Sequence, residues 1–319
     1  MSERDWIRRY LAPLATAPGA ARLTDDTAEL ALSAGSVVIT TDAMVEGVHF
    51  LASDPINTIA RKLVRVNVSD ILASGAEPSE ALLVLGWPSA RPESDLAQFA
   101  AALGDELAAW GAGLIGGDTV SSPAGLFLSL TLTGRCIGPA PIRRGGARAG
   151  DDIWVTGEIG GPRRGFLARQ AGADSPWIAS LQAPVLPDRG AAHLLANFAT
   201  AAMDISDGLL GDVRSLAEAS GQGVEIDLDS VPFAGGSADL AEKLDLSTWG
   251  DDYQLLFAAP TGSRQNLLDG AAALGLRISR VGRIRRELGL NAVAEGQSVN
   301  LPETIGFEHG RTGMSGTRP

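Results

Sequence analysis

Two α+β domains are what this sequence predicts. Three observations carry that reading. The 319 residues are ample for two cores; β-branched runs alternate with helical periodicities in both halves; and a Gly-, Pro- and Arg-rich break, GPAPIRRGGARAG, falls at 138–150. The break divides the chain into residues 1–137, a linker at 138–150, and residues 151–319.

Composition narrows the function classes. The formal net charge of −12 argues against binding a nucleic-acid backbone. It also means that any phosphate-bearing ligand meets repulsion unless cations stand between carboxylate and phosphate. No G-x-x-x-x-G-K-[ST] occurs, and Lys62 and Lys243 are the only lysines, which excludes a P-loop. A nucleotide would have to be held by metals, arginines and backbone amides. The lone Cys136 rules out an internal disulfide and fits a reducing compartment. The charged start, MSERD, does not read as a secretory signal, and apolar runs such as 81–85 fall far short of a membrane span. The expectation is a cytoplasmic protein with no membrane partner.

In chain order, residues 5–14 have the rhythm of a short amphipathic helix, and Asp25 and Asp26 stand side by side in a loop after Thr24. The run 37–41, VVITT, reads as a buried strand ending on Asp42, with Thr40 and Thr41 just before the acid. Hairpin-like pairing would bring Asp26 near Asp42. Gly47 permits a bend, and His49 follows beside Phe50. These residues are equally those of a plain strand, an Asp turn and a partly buried histidine. Asp54-Pro55 has the form of a helix start, and apolar spacing carries that helix to Gly75. On it Asn67 and Asp70 share a face, as an exposed stripe or as a pair aimed into a site.

A strand at 81–87 and an alanine-rich helix at 92–110 follow. Residues 115–119, IGGDT, repeat the grammar of strand, glycine, acid and hydroxyl, so Gly117 and Asp118 join the candidate set. The alternating stretch 126–136 predicts a half-buried strand. Arg143 and Arg144 lie in the break, where a guanidinium fork suits a phosphate as well as it suits solvent. The second half opens with a strand at 152–157 and a helix at 191–198. Next comes MDISDG at 203–208, followed by an amphipathic helix to Gly221. One cap needs one oxygen-bearing side chain, yet Asp204, Ser206 and Asp207 cluster there. GDDY at 250–253 leads into a strand at 254–258; a helix at 264–274 and strands near 278–284 and 298–301 complete the pattern. The tail after His309 is small and polar and is expected to be loosely held.

Acids thus recur at element ends: Asp26, Asp42, Asp70, Asp118, Asp204, Asp207 and Asp251. Brought together without cations they would repel one another. Several Mg²⁺ ions among them would relieve that repulsion and let an acidic protein hold a polyphosphate. The residues themselves therefore point to metal-assisted phosphoryl transfer or nucleotide hydrolysis. A non-catalytic protein that binds divalent cations is the plainer alternative.

The blocks TTDAMVEGVHF, NVSDILASGAEP, GGDT, RRGGARAGDDIWVTG, MDISDGLLGD and GDDYQLLF resemble, in order and spacing, the thiamine-monophosphate kinase family of the aminoimidazole ribonucleotide synthetase-like superfamily. The resemblance spans roughly residues 3–309 and implies that superfamily's two-domain fold. In it an N-terminal domain pairs its sheet across a homodimer, and a C-terminal α/β domain adjoins it. It implies transfer of the γ-phosphate of ATP to thiamine monophosphate, with Mg²⁺ and without a covalent enzyme intermediate. It further implies Asp26, Thr40, Thr41, Asp42, Asp70, Asp118, Asp204 and Asp207 as Mg²⁺ ligands. Gly117, Asp118, Arg144 and Ser206 would be ATP contacts, and His49, Asp251 and Phe307 contacts to thiamine monophosphate. A sister enzyme using the same ATP site on another acceptor is the alternative within the superfamily. Departures fall on the acceptor side: Asp251 stands in place of glutamate, Gln254 in place of an acid, and Trp249 in place of a small residue. Residues 181–184, LQAP, lack the family's basic side chains.

Overall fold

A computed structural model describes residues 24–25, 28–32, 35–236 and 239–307. The first sheet takes β1 (Ala28–Leu32), β2 (Gly35–Val45), β3 (Ala76–Pro88), β4 (Gly113–Ser122) and β5 (Phe127–Cys136) in the order β1-β2-β5-β3-β4. All neighbours pair antiparallel except β3 and β4, which run parallel. The alternation read at 126–136 is observed in β5, where Leu128, Leu130 and Leu132 are fully buried and Phe127 is not. The buried face meets α1 (Ile56–Ala73) and α2 (Glu93–Ala109). Among the described residues no element covers the other face, on which Leu82, Val45 and Phe127 are exposed.

The second sheet follows β12-β11-β8-β10-β6-β9-β7. Its strands are β6 (Asp152–Thr156), β7 (Ala201–Asp204), β8 (Gly223–Asp227), β9 (Leu255–Ala259), β10 (Ile278–Arg285), β11 (Gly289–Ala294) and β12 (Gln297–Ser298). Helices α3 (Gly161–Gln170), α4 (Trp177–Gln182), α5 (Gly190–Phe198), α6 (Leu209–Ala219), α7 (Leu240–Trp249) and α8 (Arg264–Ala273) surround it. Strands β6 and β9 are buried along their whole length, so they carry continuous apolar runs and show no alternation. No helix among the described residues is long and apolar enough to cross a membrane.

The two halves do not keep separate cores. Leu63, Val64, Ile71 and Leu72 of α1 share one apolar cluster with Trp154, Ala191, Leu194, Leu255 and Phe257. Helix α1 therefore packs against both halves, which explains why it is buried on more than one face. A second cluster, with Leu210, Val213, Ile226 and Leu256, fills the far side of the second sheet.

Several expectations need correcting. Asp42 lies inside β2, not at its end, because pairing with β5 continues from Val37 to Val45. Asp54 does not cap α1: no side chain does, and Pro55 precedes the first helical residue. The last strand covers only Gln297–Ser298 and stops short of Leu301. The predicted helix at 5–14 and the tail after His309 lie outside the described residues.

Candidate active site

The first group of predicted ligands is assembled by α1 and β2. Residues 67 and 70 lie three apart on the helix, and residues 40 and 42 two apart on the strand, so each pair shares a face. Thr40 Oγ1 donates to Asp70 Oδ2 at 2.5 Å, and the Asp42 amide donates to Asn67 Oδ1 at 3.1 Å. Asn67, fully buried, spends its amide nitrogen on Leu63 O at 2.9 Å. It thereby fixes the Asp42 backbone while the Asp42 side chain stays half-exposed. The Thr41 side chain is turned to the opposite face, as strand geometry requires, where its hydroxyl accepts from Thr131 Oγ1 at 3.0 Å. The expectation that both hydroxyls stand among the acids is therefore corrected, and Thr41 can address that group only through its main chain.

The second group sits between β7 and α6. Asp204 ends the strand and is buried; Ser206 and Asp207 are half-exposed in the turn. The N-cap position of α6 is Gly208, not one of these three residues. Asp212, in the first turn of the helix, reaches back to brace the turn, accepting from the amides of Asp207 at 3.0 Å and Gly208 at 3.1 Å. Gly208 has φ +118°, and a Cβ there would lie 2.9 Å from the Thr248 carbonyl carbon, so only glycine makes this turn. Burial pushes the Asp212 carboxyl well above the usual range, the charges of Asp207 and Asp204 push it further, and Arg144 partly offsets them. Two carboxylates and a guanidinium thus stand close enough to be felt at one buried acid. The Arg144 amide donates to Asp25 Oδ1 at 2.5 Å, and Arg143 Nη1 lies 3.7 Å from Asp25 Oδ2. Asp26 lies outside the described residues.

Residues 250–253 join the two groups. The amides of Asp251 and Tyr253 donate to Ser206 O at 2.9 Å and Ile205 O at 2.8 Å. Asp251 and Tyr253 hold φ of +62° and +50°, a left-handed backbone that costs non-glycine residues energy. On the α1 side, Ser69 Oγ donates to Tyr253 O at 3.5 Å, and Lys62 Nζ lies 3.4 Å from Asp251 Oδ2. Phe307 is drawn in by its amide, which donates to Asp207 O at 3.0 Å. His49 sits in the loop after β2, its Nδ1 accepting from the Val45 amide at 3.0 Å, which places the ring proton on Nε2. Gln254 accepts from Thr156 Oγ1 at 2.9 Å and donates to Val185 O at 2.6 Å. An ionised carboxylate in its place would face that carbonyl with no proton to offer, so the amide suits this chain.

Asp118 stands apart from the β2 acid. Asp42 is opposite Leu130, Leu130 opposite Leu83, and Leu83 opposite Gly117. Three strand spacings, about 14 Å, therefore separate the β2 acid from the β4 residues within one chain. Gly117 has φ +149°, and a Cβ would fall 1.8 Å from Leu83 O, so glycine is required there for strand packing. The sequence offered Gly117 as an anion-binding residue; the packing reason was invisible without the neighbour. Lys62 and Asp212 went unread as well. A lysine between Ile59 and Leu63 on an apolar helix face was the available signal for the first.

The donors of these two groups are carboxylate and hydroxyl oxygens, the hard ligands of Mg²⁺. Among the described residues, no three acidic, histidine or cysteine side chains form one cage. That is compatible with an ion that takes one or two carboxylates and fills its remaining positions with phosphate and water.

Comparison with known proteins gives the arrangement its family. Residues 24–136 match the AIR synthase related protein N-terminal domain, and residues 148–294 match the corresponding C-terminal domain. The thiamine-monophosphate kinase of Caulobacter vibrioides is 36% identical, over 97% of this chain and 91% of that protein. The Salmonella typhimurium enzyme of the same name is 31% identical, over 86% of each. A solved structure, AaThiL complexed with AMPPCP and TMP, superposes with a TM-score of 0.83 at 27% identity, covering 97% of both chains. On its fold, its paired domains and these relatives, the chain belongs to the thiamine-monophosphate kinase family.

Proposed function

We propose that this protein phosphorylates thiamine monophosphate at the expense of ATP, yielding thiamine diphosphate and ADP. The observation that carries the reading is the two-domain match, over nearly the whole chain, to a structure holding the ATP analogue AMPPCP together with TMP. The acid groups on either side of α1 are where such chemistry is wanted. We assign Thr40, Asp42 and Asp70 on one side, and Asp204 and Asp207 on the other, as the side chains that hold Mg²⁺, with Asp26 and Asp118 as further acids of the set and Thr41 acting through its main chain. Bound Mg²⁺ neutralises charge on the transferring phosphoryl group.

The chain's own groups do the rest. Arg144 supplies fixed positive charge near Asp212, and Ser206 a hydroxyl, for the nucleotide phosphates; Gly117 and Asp118 are the other assigned ATP contacts. His49 presents Nε2–H as a donor, Asp251 a carboxylate, and Phe307 a ring, to the thiamine end of the acceptor. The attacking atom is a phosphate oxygen of thiamine monophosphate, already ionised near neutral pH, so no side chain need remove a proton. The γ-phosphorus–oxygen bond to ADP breaks as the bond to that oxygen forms, and positioning with electrostatics carries the step. The division into residues 1–137, linker 138–150 and residues 151–319 belongs to the same reading, supported by the irregular stretch between β5 and β6. Residence in a reducing cytoplasm is supported by the lone Cys136.

A homodimer completes the proposal. Strand β4 is exposed along almost its whole length, Ile115 is 65% accessible at a bulge in the β3–β4 register, and Leu114 and Val120 are half-exposed. A second copy docking on this edge and on the open sheet face would cover them, and could bring Asp118 to a site its own chain does not reach. Ile115→Asp is expected to convert a species of twice the chain mass to monomer in light scattering, with loss of turnover. An unaltered dimer would place the interface elsewhere.

The direct test is incubation with ATP, Mg²⁺ and thiamine monophosphate. Thiamine diphosphate should form, and should not form when Mg²⁺ is chelated. ATP consumption only with another phosphorylated acceptor would favour a sister activity.

A further inference from the structure

We infer that Lys62 is a positioning residue that sets the acceptor side of the site, holding the His49 loop and the Asp251 carboxylate in one frame. The inference rests on the functional reading above, in which His49 and Asp251 meet thiamine monophosphate.

Lys62 is only 3% exposed, and its ammonium reaches three acceptors from three separate segments. They are His49 O at 3.1 Å, Leu181 O at the end of α4 at 3.3 Å, and Asp251 Oδ2 at 3.4 Å. An ammonium has three donors, and here each has one partner. Asp251 is also buried, at 6%, so the pair forms out of water, where removing the ammonium takes a counter-charge from the carboxylate.

The placement on α1 gives the contact its direction. Residues 62 and 69 lie seven apart on the helix, on the face turned to residues 251–253, where Ser69 meets Tyr253 O. Asn67 and Asp70 look instead to β2. One face of the helix therefore serves the proposed metal group, and another serves the proposed acceptor group. Arg65, one turn on from Lys62, donates to Pro184 O at 2.9 Å. Residues 181–184 lack basic side chains of their own, and α1 delivers cationic donors to their carbonyls. Asp251 needs the help more than most residues do. It is held at a left-handed φ, and its short side chain depends on a fixed backbone for its reach.

The consequence is selective. Without the ammonium, Asp251 and the His49 carbonyl lose their common tether, while the Thr40–Asp70, Asp42–Asn67 and Asp212–Gly208 bonds do not involve Lys62. In steady-state assays Lys62→Met should raise KM for thiamine monophosphate at least about tenfold and leave KM for ATP within about twofold, since an interaction confined to one substrate moves that constant. Lys62→Arg, which keeps the charge, should recover most of the affinity. Should Lys62→Met not accumulate as folded protein, Lys62→Gln carries the same comparison. Equal rises in both KM values, or a lowered melting temperature with both constants unchanged, would overturn the positioning role and leave the functional reading standing. No thiamine diphosphate from the unaltered protein would remove that reading, and this inference with it.

Discussion

Asp42→Asn should lower the turnover of thiamine monophosphate by about 10²–10³-fold or more, the range seen when one electrostatic contact to a charged transition state is deleted. It should do so in a protein whose melting temperature stays within about 2 °C of the original. The two halves of that expectation come from two parts of one residue. The Asp42 amide is the part the fold uses: it donates to Asn67, and the strand pairs with β5 on either side of it. The carboxylate is half-exposed and stands on the strand face that also carries Thr40, whose partner Asp70 lies on α1. Asparagine keeps the shape and removes one negative charge from the place where phosphate and cation would meet. Melting curves together with initial rates at saturating ATP and Mg²⁺ check both halves. Undiminished turnover would move the site away from β2; a large fall in melting temperature would make Asp42 a structural acid.

How much of this could be read beforehand follows from whether the signal was local. Periodicity along one segment found β2, β5, α1 and α6, because each shows its buried face in its own residues. It missed β8, β11, α3, α4 and α7. The stretch 223–227, GVEID, alternates apolar and acidic residues but over only five positions, and α3 opens on Gly161-Pro162 with two arginines following, a poor helical pattern. The pairing of Asn67 with Asp70 on one face was legible, being a matter of helical pitch. That Thr40 and Thr41 point to opposite faces was legible too, once the strand was known to run past Asp42. The separation of Asp118 from Asp42 was not, because it depends on strand order, and order is set by pairing between distant residues. The apolar helix face around Lys62 was a local signal, but what its ammonium holds was not readable, since its three acceptors lie 13, 119 and 189 residues away along the chain.

Asp54→Ala should cost about 3–5 kcal/mol, the usual penalty for removing one member of a buried ion pair, and lower the melting temperature on the order of 10 °C. The sequence presents Asp54 as a helix cap, whose loss costs typically about 1 kcal/mol, so the measurement separates the two roles by size. In the structure the carboxylate leaves the helix alone and crosses to the other half of the protein. Oδ2 accepts from the Leu51 amide at 2.7 Å; Oδ1 accepts from Gln182 Nε2 at 3.0 Å and from the Arg169 guanidinium. The Asp54 side chain is 3% exposed and that of Arg169 20%, so truncation leaves a largely buried guanidinium without its counter-charge. The bond adds to Lys62–Leu181 and Arg65–Pro184, and together they pin the end of α4 to the N-terminal half beside the proposed acceptor site. Because α1 and the second sheet share one apolar cluster, the loss should shift a single unfolding transition and not split it into two. A fall of about 2 °C would reduce Asp54 to the capping role, whereas two resolved transitions would show that the halves fold as separate units and that polar contacts, not the shared core, hold them together.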